Sequence, residues 1–408
     1  MSKLEEMLKY VSEHNEFYKN RIKEYGIKDP LDINQWPILT RKELQENRYN
    51  MFSDGYKSKY FDQQLRRQSS SGSSGVPVNV YWDYKDWYAS NMSLWRKRLQ
   101  WYGIHPSDKY VIFTLNAFNI NNEGETVYYV NNPANILSVN VSLIQNESGY
   151  EKLVDTINNF EPKWLYIQPL VLNRLIQAYK RTGKIPPKTL KYIESVGELL
   201  TSDLRRRAIE FFNVPLANMY GSEEMNGIAY ECHDHHMYVL SDNVFVEIMN
   251  ENEVLRCGVG ESIITSLNNY AMPLIRYNQG DIIKINHLNI EPSNSDLIYS
   301  IHGRKLQEVD LGGVSVNAFA FSEVIATVNN QLDDVIINYQ FIYSKSKGRL
   351  LCKLVLDPAR NAWFSSVQIA LIDVFKTKFN IYINNYDIIL LTKFEMKCLK
   401  QKTIIIEE

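Results

Sequence analysis

The chain has little cysteine and no long apolar run, and both scarcities limit what it can be. Four cysteines occur in 408 residues, and none stands in a CxxC pair. This usage argues against a disulfide framework and predicts a reducing, cytoplasmic location. No window approaches the roughly 18 consecutive apolar residues of a membrane span, and residues 1–21 lack the apolar centre of a signal peptide. We therefore expect no membrane span.

An excess of charge of one sign is also lacking. Lys and Arg number 45, Asp and Glu number 47, and the formal net charge is −2. Because so balanced a chain has no strong overall field, we expect no nucleic-acid partner. Apolar residues make up 45% and charged residues 23%, which is ordinary for a globular protein. At this length, two domains of unequal size are the expectation.

Strand and helix patterns alternate in the middle of the chain. Short apolar runs at 110–115, 164–167 and 190–195 are separated by stretches of helical spacing such as 169–181. This alternation predicts an α/β fold with a mixed, largely parallel sheet covered by helices. Residues 237–286 hold closely spaced strand patterns instead, which are typical of a small antiparallel β subdomain.

Local signals also predict helix starts and one amphipathic helix. Thr40 and Ser202 each stand where an N-cap would precede a helical pattern. The spacing of apolar residues between 84 and 102 predicts an amphipathic helix. These apolar residues are Trp87, Met92, Leu94, Trp95 and Leu99.

The pattern changes again at about residue 302. Beyond it, helix patterns at 317–330 and 365–379 alternate with strand runs, which predicts a small α+β domain. We therefore expect a large N-terminal domain at 1–302 and a small C-terminal domain at 303–408.

The most distinctive segment is a serine- and glycine-rich run at 69–77. Small residues let backbone N–H groups surround a phosphate chain, and hydroxyls add further donors. A flexible linker is the alternative reading, although Pro77 and the strand pattern that follows argue against it. The residues that would form a phosphate loop are Ser70, Ser71, Gly72, Ser73, Ser74 and Gly75.

This run and four later segments, in this order, resemble the adenylate-forming enzymes. That superfamily includes the acyl-CoA synthetases and the adenylation domains of non-ribosomal peptide synthetases. The later segments are V-G-E-L-L at 196–200, Y-G-S-E-E at 220–224, P-L-I-R-Y-N-Q-G-D at 273–281, and H-G-R at 302–304 with its downstream glycines. The P-L-I-R-Y spelling, the A-Y-E-C sequence and the short chain are most similar to the phenylacetate–CoA ligase branch, which includes CapK-type proteins. The resemblance implies a small C-terminal domain that moves about a hinge near 304–313.

The resemblance also implies residues that bind the adenosine. Tyr220 would stack on adenine, and the Asp281 carboxylate would accept both ribose hydroxyls. Arg304 would contact ribose or phosphate. A tyrosine of the core and an interdomain salt bridge are the alternative readings for Tyr220 and Arg304. The full set implied for adenine and ribose is Gly197, Glu198, Tyr220, Gly221, Asp281 and Arg304.

Two catalytic residues are implied in the same way. Glu224 corresponds to the family's magnesium-binding glutamate, and Lys400 corresponds to the lysine that contacts carboxylate and α-phosphate oxygens. Glu223 stands where Ser or Thr is usual, and Lys397 offers an alternative register in a tail that also reads as a basic, solvated segment. The acidic hinge residue of the family is replaced by leucine. The hinge positions are Leu306, Gln307 and Gly313.

A short cluster of soft ligands allows a second kind of site. Cys232 and His236 lie close together in the sequence with further histidines between them. Zinc accepts such ligands, but the spacing matches no standard zinc site. A structural role is the alternative.

The resemblance implies an ATP- and Mg²⁺-dependent ligase. A small carboxylic acid would form an acyl-adenylate, and the acyl group would pass to a thiol, with coenzyme A as the expected acceptor. A carrier protein or an amine is an alternative acceptor, and a non-catalytic nucleotide-binding homologue is an alternative function. The polar, acidic stretch at 116–125 points to an amino or hydroxy acid as substrate.

Overall fold

The computed structural model of the chain divides into two units. The first comprises residues 1–103 and 219–301, and the second comprises residues 104–218 and 302–408. The described residues are 1–69, 78–114, 127–144, 147–290, 293–304, 309–310, 315–316, 318–332, 335–379, 386–391 and 404–407.

Helices and a short hairpin form the beginning of the first unit. The predicted Thr40 cap is confirmed, since its side chain accepts a hydrogen bond from the Glu43 backbone N–H and Glu43 completes a capping box. The helix predicted at 84–102 is also confirmed, and its Gly103 C-cap is left-handed. The elements are α1 (Lys3–His14), α2 (Glu16–Tyr25), α3 (Arg41–Glu46), α4 (Tyr56–Phe61), β1 (Arg66–Ser69), β2 (Asn79–Trp82) and α5 (Tyr84–Tyr102).

The apolar residues predicted along α5 do not form one buried face. Leu94 is buried, whereas Met92 and Leu99 are 49% and 50% exposed. The buried face carries the polar side chains of Ser90 and Ser93 instead.

A parallel sheet organises the next stretch, in the second unit. β3 pairs in parallel with β5 and β6, and β6 pairs in parallel with β7, whereas β4 pairs antiparallel with β5. The predicted mixed, largely parallel sheet is confirmed. The strand order is β7-β6-β3-β5-β4. Thr201 caps α8, not the expected Ser202, because its side chain accepts from the Leu204 N–H. The elements are β3 (Tyr110–Thr114), β4 (Tyr128–Asn131), β5 (Ile136–Asn140), α6 (Glu147–Phe160), β6 (Trp164–Ile167), α7 (Pro169–Thr182), β7 (Tyr192–Val196), α8 (Ser202–Phe212) and β8 (Leu216–Ser222).

Antiparallel strands return in the first unit, as the closely spaced patterns predicted. Strand β8 enters this unit at Met219 and pairs with β9, and the order along the sheet is β12-β11-β13-β14-β15-β10-β9-β8. The strands are β9 (Asn226–Glu231), β10 (Met237–Val239), β11 (Val244–Asn250), β12 (Glu253–Leu255), β13 (Gly258–Ser266), β14 (Tyr277–Ile290) and β15 (Ser293–Arg304).

The C-terminal residues have a core of their own, in which Phe321, Phe341 and Phe375 pack together. Its four-stranded sheet has the order β20-β19-β18-β21. The predicted α+β character is confirmed, and the boundary at 302/303 stays a prediction. The elements are β16 (Val309–Asp310), β17 (Ser315–Val316), α9 (Ala318–Gln331), β18 (Ile336–Ser344), β19 (Arg349–Leu356), α10 (Phe364–Phe379), β20 (Tyr386–Leu390) and β21 (Ile404–Glu407).

Within the described ranges, no helix is both long enough and apolar enough to cross a membrane.

A buried carboxyl in α5 makes stability depend on pH. Asp86 is 9% exposed and accepts a hydrogen bond from the Tyr270 N–H at 3.3 Å. Burial raises the pKa of Asp86 to about 6, above the value of about 3.9 expected in the unfolded chain. The folded state therefore binds the extra proton between about pH 4 and pH 6, and its stability falls as the pH rises through that window.

We expect Asp86→Asn to raise the free energy of unfolding by about 1 kcal/mol at pH 7.5 and to change it little at pH 4, since solvent screening reduces the full effect. Urea denaturation at both pH values measures this. Asp83→Asn is the matched control: its carboxylate pairs with Lys59 at 2.8 Å, which lowers the pKa of Asp83, so its loss should destabilise at pH 7.5. An equal effect of Asp86→Asn at both pH values would contradict the assignment.

Candidate functional site

Two residues predicted to bind the nucleotide meet in the first unit. Tyr220 lies near the end of β8 and Asp281 lies in β14, and the tyrosine hydroxyl donates to Asp281 Oδ2 at 2.7 Å. Both side chains are largely buried. The fold thus joins an aromatic ring and a carboxylate that lie far apart in sequence.

A glutamine that sequence reasoning did not single out completes this contact. Gln279 Nε2 lies 3.2 Å from the Tyr220 hydroxyl and donates to Asp281 Oδ2 at 3.0 Å. Ser222 Oγ donates to Gln279 Oε1 at 3.2 Å. These four residues form one hydrogen-bonded group, which we call the Tyr–Asp group.

Asp281 lies inside a strand, directly after a glycine that the sequence alone allows to be read as a strand end. β14 continues to Ile290, and the pairing register with β13 shifts between Glu261 and Ile263. Gly280 adopts φ +79° at this bulge, where a residue with a Cβ would be strained. Asn278 holds the bulge, because its side chain accepts from the Gly280 N–H at 2.9 Å and donates to Glu261 at 3.0 Å.

Gly221 is required by a close approach of two strands. A Cβ at this position would lie 2.4 Å from the Asn226 carbonyl oxygen. The register of β8 against β9 also shifts between Tyr220 and Gly221. The glycine therefore sets the backbone path that carries Tyr220 and Ser222.

The predicted metal ligand Glu224 is buried beside a cation. It is 3% exposed; the Tyr277 hydroxyl donates to its Oε1 at 3.4 Å, and Arg41 Nη1 lies 3.7 Å from the same oxygen. Leu39 positions Arg41 here, since the Leu39 N–H donates to the Arg276 carbonyl oxygen and the Leu39 carbonyl oxygen accepts from the Asn278 N–H at the start of β14. Sequence reasoning missed Arg41 because its partner lies far along the chain.

The neighbouring acid contacts the stem of the serine-rich run. Gln68 Nε2 donates to Glu223 Oε2 at 3.3 Å. Gln68 belongs to β1, which pairs antiparallel with β2 from Arg66↔Trp82 to Ser69↔Asn79. The strands that flank the serine-rich run in the sequence are therefore paired with each other, and the phosphate loop itself stays a prediction.

A buried ion pair explains the arginine of the P-L-I-R-Y segment. Arg276 makes a two-point contact with Glu247, with Nε–Oε2 at 3.1 Å and Nη2–Oε1 at 2.9 Å. Its Nη1 also donates to the Trp36 carbonyl oxygen at 2.8 Å. Arg276 therefore ties the N-terminal segment to the sheet.

Two further predicted residues lie in the second unit. Gly197 has φ +77°, and Glu198 Oε2 accepts from the Leu170 N–H at 3.3 Å in the first turn of α7. Because Gln168 offers that helix no side-chain cap, Glu198 serves as its cap. A contact of Glu198 with adenine stays a prediction.

The other predicted positions do not have described side chains. Arg304 ends β15, and its side chain lies outside the described part of the structure. The residues of the predicted phosphate loop, hinge and catalytic tail that lie outside the described residues are Ser70, Ser71, Gly72, Ser73, Ser74, Gly75, Leu306, Gln307, Gly313 and Lys400.

The cysteine–histidine cluster forms the turn between β9 and β10. Cys232 Sγ lies 3.2 Å from His233 Nδ1, and His236 Nδ1 lies 3.4 Å from Asp234 Oδ2. Burial raises the pKa of the Cys232 thiol, which disfavours the thiolate that zinc requires. Among the described residues, no three His, Cys, Asp or Glu side chains are arranged to hold a metal ion. The contacts favour the structural alternative for this cluster.

Comparison with known proteins identifies related chains. No family model matches the sequence. A phenylacetate-coenzyme A ligase of Pseudomonas putida is 25% identical over 336 residues, covering 78% of this chain and 72% of the relative. Protein CapK of Staphylococcus aureus is 24% identical over 375 residues, covering 86% and 80%.

A solved structure extends the likeness to the fold. The 2-hydroxyisobutyryl-CoA ligase, in complex with 2-HIB-AMP in its postadenylation state, has a TM-score of 0.77 at 15% identity and covers 99% of this chain and 88% of its own. The comparisons confirm the resemblance to the adenylate-forming superfamily. The chain's sequence relatives are most similar to the phenylacetate–CoA ligase-like branch, and the phenylacetate-coenzyme A ligases among them indicate an acid–thiol ligase.

Proposed function

We propose that the chain activates a small carboxylic acid with ATP and transfers the acyl group to coenzyme A. The observation that carries this proposal is the hydrogen bond between Tyr220 and Asp281. The pair offers a ring on which adenine can stack and a carboxylate that accepts hydrogen bonds from ribose. The likeness to named CoA ligases supports the reaction class.

In the first half-reaction, a carboxylate oxygen of the acid attacks the α-phosphorus of ATP. The bond to pyrophosphate breaks, and pyrophosphate leaves with the bonding electrons. In the second, the coenzyme A thiol loses its proton to solvent, its sulfur attacks the acyl carbonyl carbon, and the bond from that carbon to the phosphate oxygen breaks as AMP leaves. Because no side chain forms a covalent bond, catalysis consists of positioning and charge stabilisation.

The charged groups of the first unit fit this chemistry. Glu224 supplies a carboxylate of the kind that Mg²⁺ prefers, and the ion would offset the negative charge of the polyphosphate. Arg41 adds a second positive charge 3.7 Å from that carboxylate. Lys400 would contact the reacting oxygens, by analogy with the family.

ATP–pyrophosphate exchange over a panel of acids tests the proposal. The panel should contain phenylacetate, simple hydroxy acids and amino acids, and we expect exchange above background with at least one. Lys400→Ala is expected to lower exchange about 100-fold, because it removes positive charge from the transition state. Lys397→Ala is the control for the alternative register of the tail and should have a small effect.

Two outcomes would favour an alternative function or an alternative acceptor. ATP binding without exchange for any acid would favour a non-catalytic nucleotide-binding protein. Exchange that yields no acyl-CoA by mass spectrometry when coenzyme A is present would favour a carrier protein or an amine as acceptor.

A further inference from the structure

The amide of Gln279 has a fixed orientation inside the Tyr–Asp group. Ser222 Oγ donates to Gln279 Oε1 at 3.2 Å, so this atom is the acceptor end of the amide. The opposite end, Nε2, therefore faces Tyr220 and Asp281. Gln279 is 7% exposed, and a buried amide seldom reorients when both of its ends are bonded.

Gln279 Nε2 and the Tyr220 hydroxyl converge on one oxygen of Asp281. The tyrosine donates to Asp281 Oδ2 at 2.7 Å, and the amide donates to the same atom at 3.0 Å. Two donors on one oxygen fix the rotation of the carboxylate about its χ2 torsion, which is otherwise broad.

The same contacts fix the tyrosine ring. The Tyr220 hydroxyl lies between Asp281 Oδ2 and Gln279 Nε2, so its oxygen is bonded on both sides. Because its hydroxyl is hydrogen-bonded at the far end, the Tyr220 ring keeps one plane on which adenine could stack. Gln279 thus acts on the stacking partner and on the carboxylate at once.

We propose that Gln279 is a positioning residue that makes the nucleotide site discriminate ribose from deoxyribose. It does so by holding the Asp281 carboxylate in the orientation that accepts a ribose hydroxyl and by holding Tyr220 in the plane that receives the base. This inference rests on the proposed nucleotide-binding function of the Tyr–Asp group. Ser222 supports this role by fixing the orientation of the Gln279 amide.

The chemistry of the site explains why an amide suits this position. A carboxylate at position 279 would place a second negative charge within hydrogen-bond distance of Asp281 and repel it. An apolar side chain would remove one hydrogen-bond partner from the buried Asp281 carboxylate and one from the Tyr220 hydroxyl, so that both side chains would be less firmly oriented. An amide supplies a donor without a charge.

Calorimetric titration with ATP and with 2′-deoxyATP, each with Mg²⁺, tests the proposal on the full chain. We expect the unmodified chain to bind ATP more tightly than 2′-deoxyATP. Gln279→Leu should weaken ATP binding about fivefold to tenfold, the usual worth of a hydrogen bond. Its effect on 2′-deoxyATP binding should be smaller. The ratio of the dissociation constant for 2′-deoxyATP to that for ATP should therefore fall.

Four companion variants separate positioning from a general loss of structure. Ser222→Ala should lower the ratio in the same direction by a smaller factor. Asp281→Asn should abolish the discrimination, and adding Gln279→Leu to it should change the ratio no further, since the two act as one unit. Gln100→Leu, the same replacement at an exposed position of α5, should leave both dissociation constants unchanged.

The outcomes distinguish this inference from the proposed function. If the unmodified chain bound neither nucleotide, the proposed function would fail. If it bound ATP but did not discriminate against 2′-deoxyATP, or if Gln279→Leu kept the full discrimination, the inference would be overturned while the function stood. Should Gln279→Leu not fold, Ser222→Ala decides in its place, and an unchanged ratio there rejects the inference.

Discussion

Replacing Glu224 by glutamine is expected to lower ATP–pyrophosphate exchange about 100-fold, which is the scale of removing one charge-stabilising group from a transition state. Glu224 is buried, and its carboxylate faces Arg41 and the Tyr277 hydroxyl. A neutral amide of the same shape keeps the packing but loses the charge that would bind Mg²⁺. A titration of exchange rate against Mg²⁺ concentration should show that more of the ion is needed.

Glu223→Gln is the matched control for this prediction. It makes the same chemical change one residue earlier, at an exposed side chain. We expect exchange to stay within about threefold of the unmodified chain, because a solvated charge contributes little. If both variants lost exchange activity equally, the negative charge of the 223–224 segment as a whole would matter, and Glu224 would have no specific role.

The largest expected effect on stability follows from the Arg276–Glu247 pair. Glu247→Gln should lower the free energy of unfolding by about 3 kcal/mol, since it leaves a buried guanidinium without its anion. Both side chains are almost fully buried, at 6% and 3% exposure. Urea denaturation at neutral pH measures the loss.

The exposed pair of Lys42 and Glu46 provides the control, with its side chains 81% and 60% exposed. Glu46→Gln should change the free energy of unfolding by about 0.5 kcal/mol or less. Adding Arg276→Met to Glu247→Gln should cost less than the sum of the single changes, because both remove one interaction. Strict additivity would argue that the two side chains stabilise the fold independently.

Local sequence patterns predicted the elements of this fold well. The bounds of α5, β6 and α8 agree with the apolar spacing in each segment, because periodicity of 3.6 or 2 depends on neighbours within the same element. The face of α5 that is buried was not predictable in the same way. Met92 and Leu99 share the helical spacing but lie in solvent, since tertiary packing decides which residues are covered.

The same distinction between local pattern and tertiary contact applies to the residues of the candidate site. Tyr220, Asp281 and Glu224 lie in segments that resemble family motifs, so their grouping could be anticipated. Gln279 lies in one of these segments, but its contacts with Tyr220 and Ser222 could not be anticipated. The contact of Arg41 with Glu224 could not be anticipated either, because only folding brings these partners together. Neither residue type nor local spacing carries that information. The bulge at Gly280 was also hidden, since a glycine before an acid reads equally as the end of a strand.

The order of the strands in the C-terminal sheet bears on Lys400, the proposed catalytic residue. Strands β20 and β21 lie at opposite edges of the order β20-β19-β18-β21, and each pairs in parallel with its neighbour. The two edge strands are separated by three strand spacings, roughly 14 Å. In the sequence, Lys400 falls between them. Because β20 and β21 belong to one sheet, a rotation of this sheet would move the strand before Lys400 and the strand after it together.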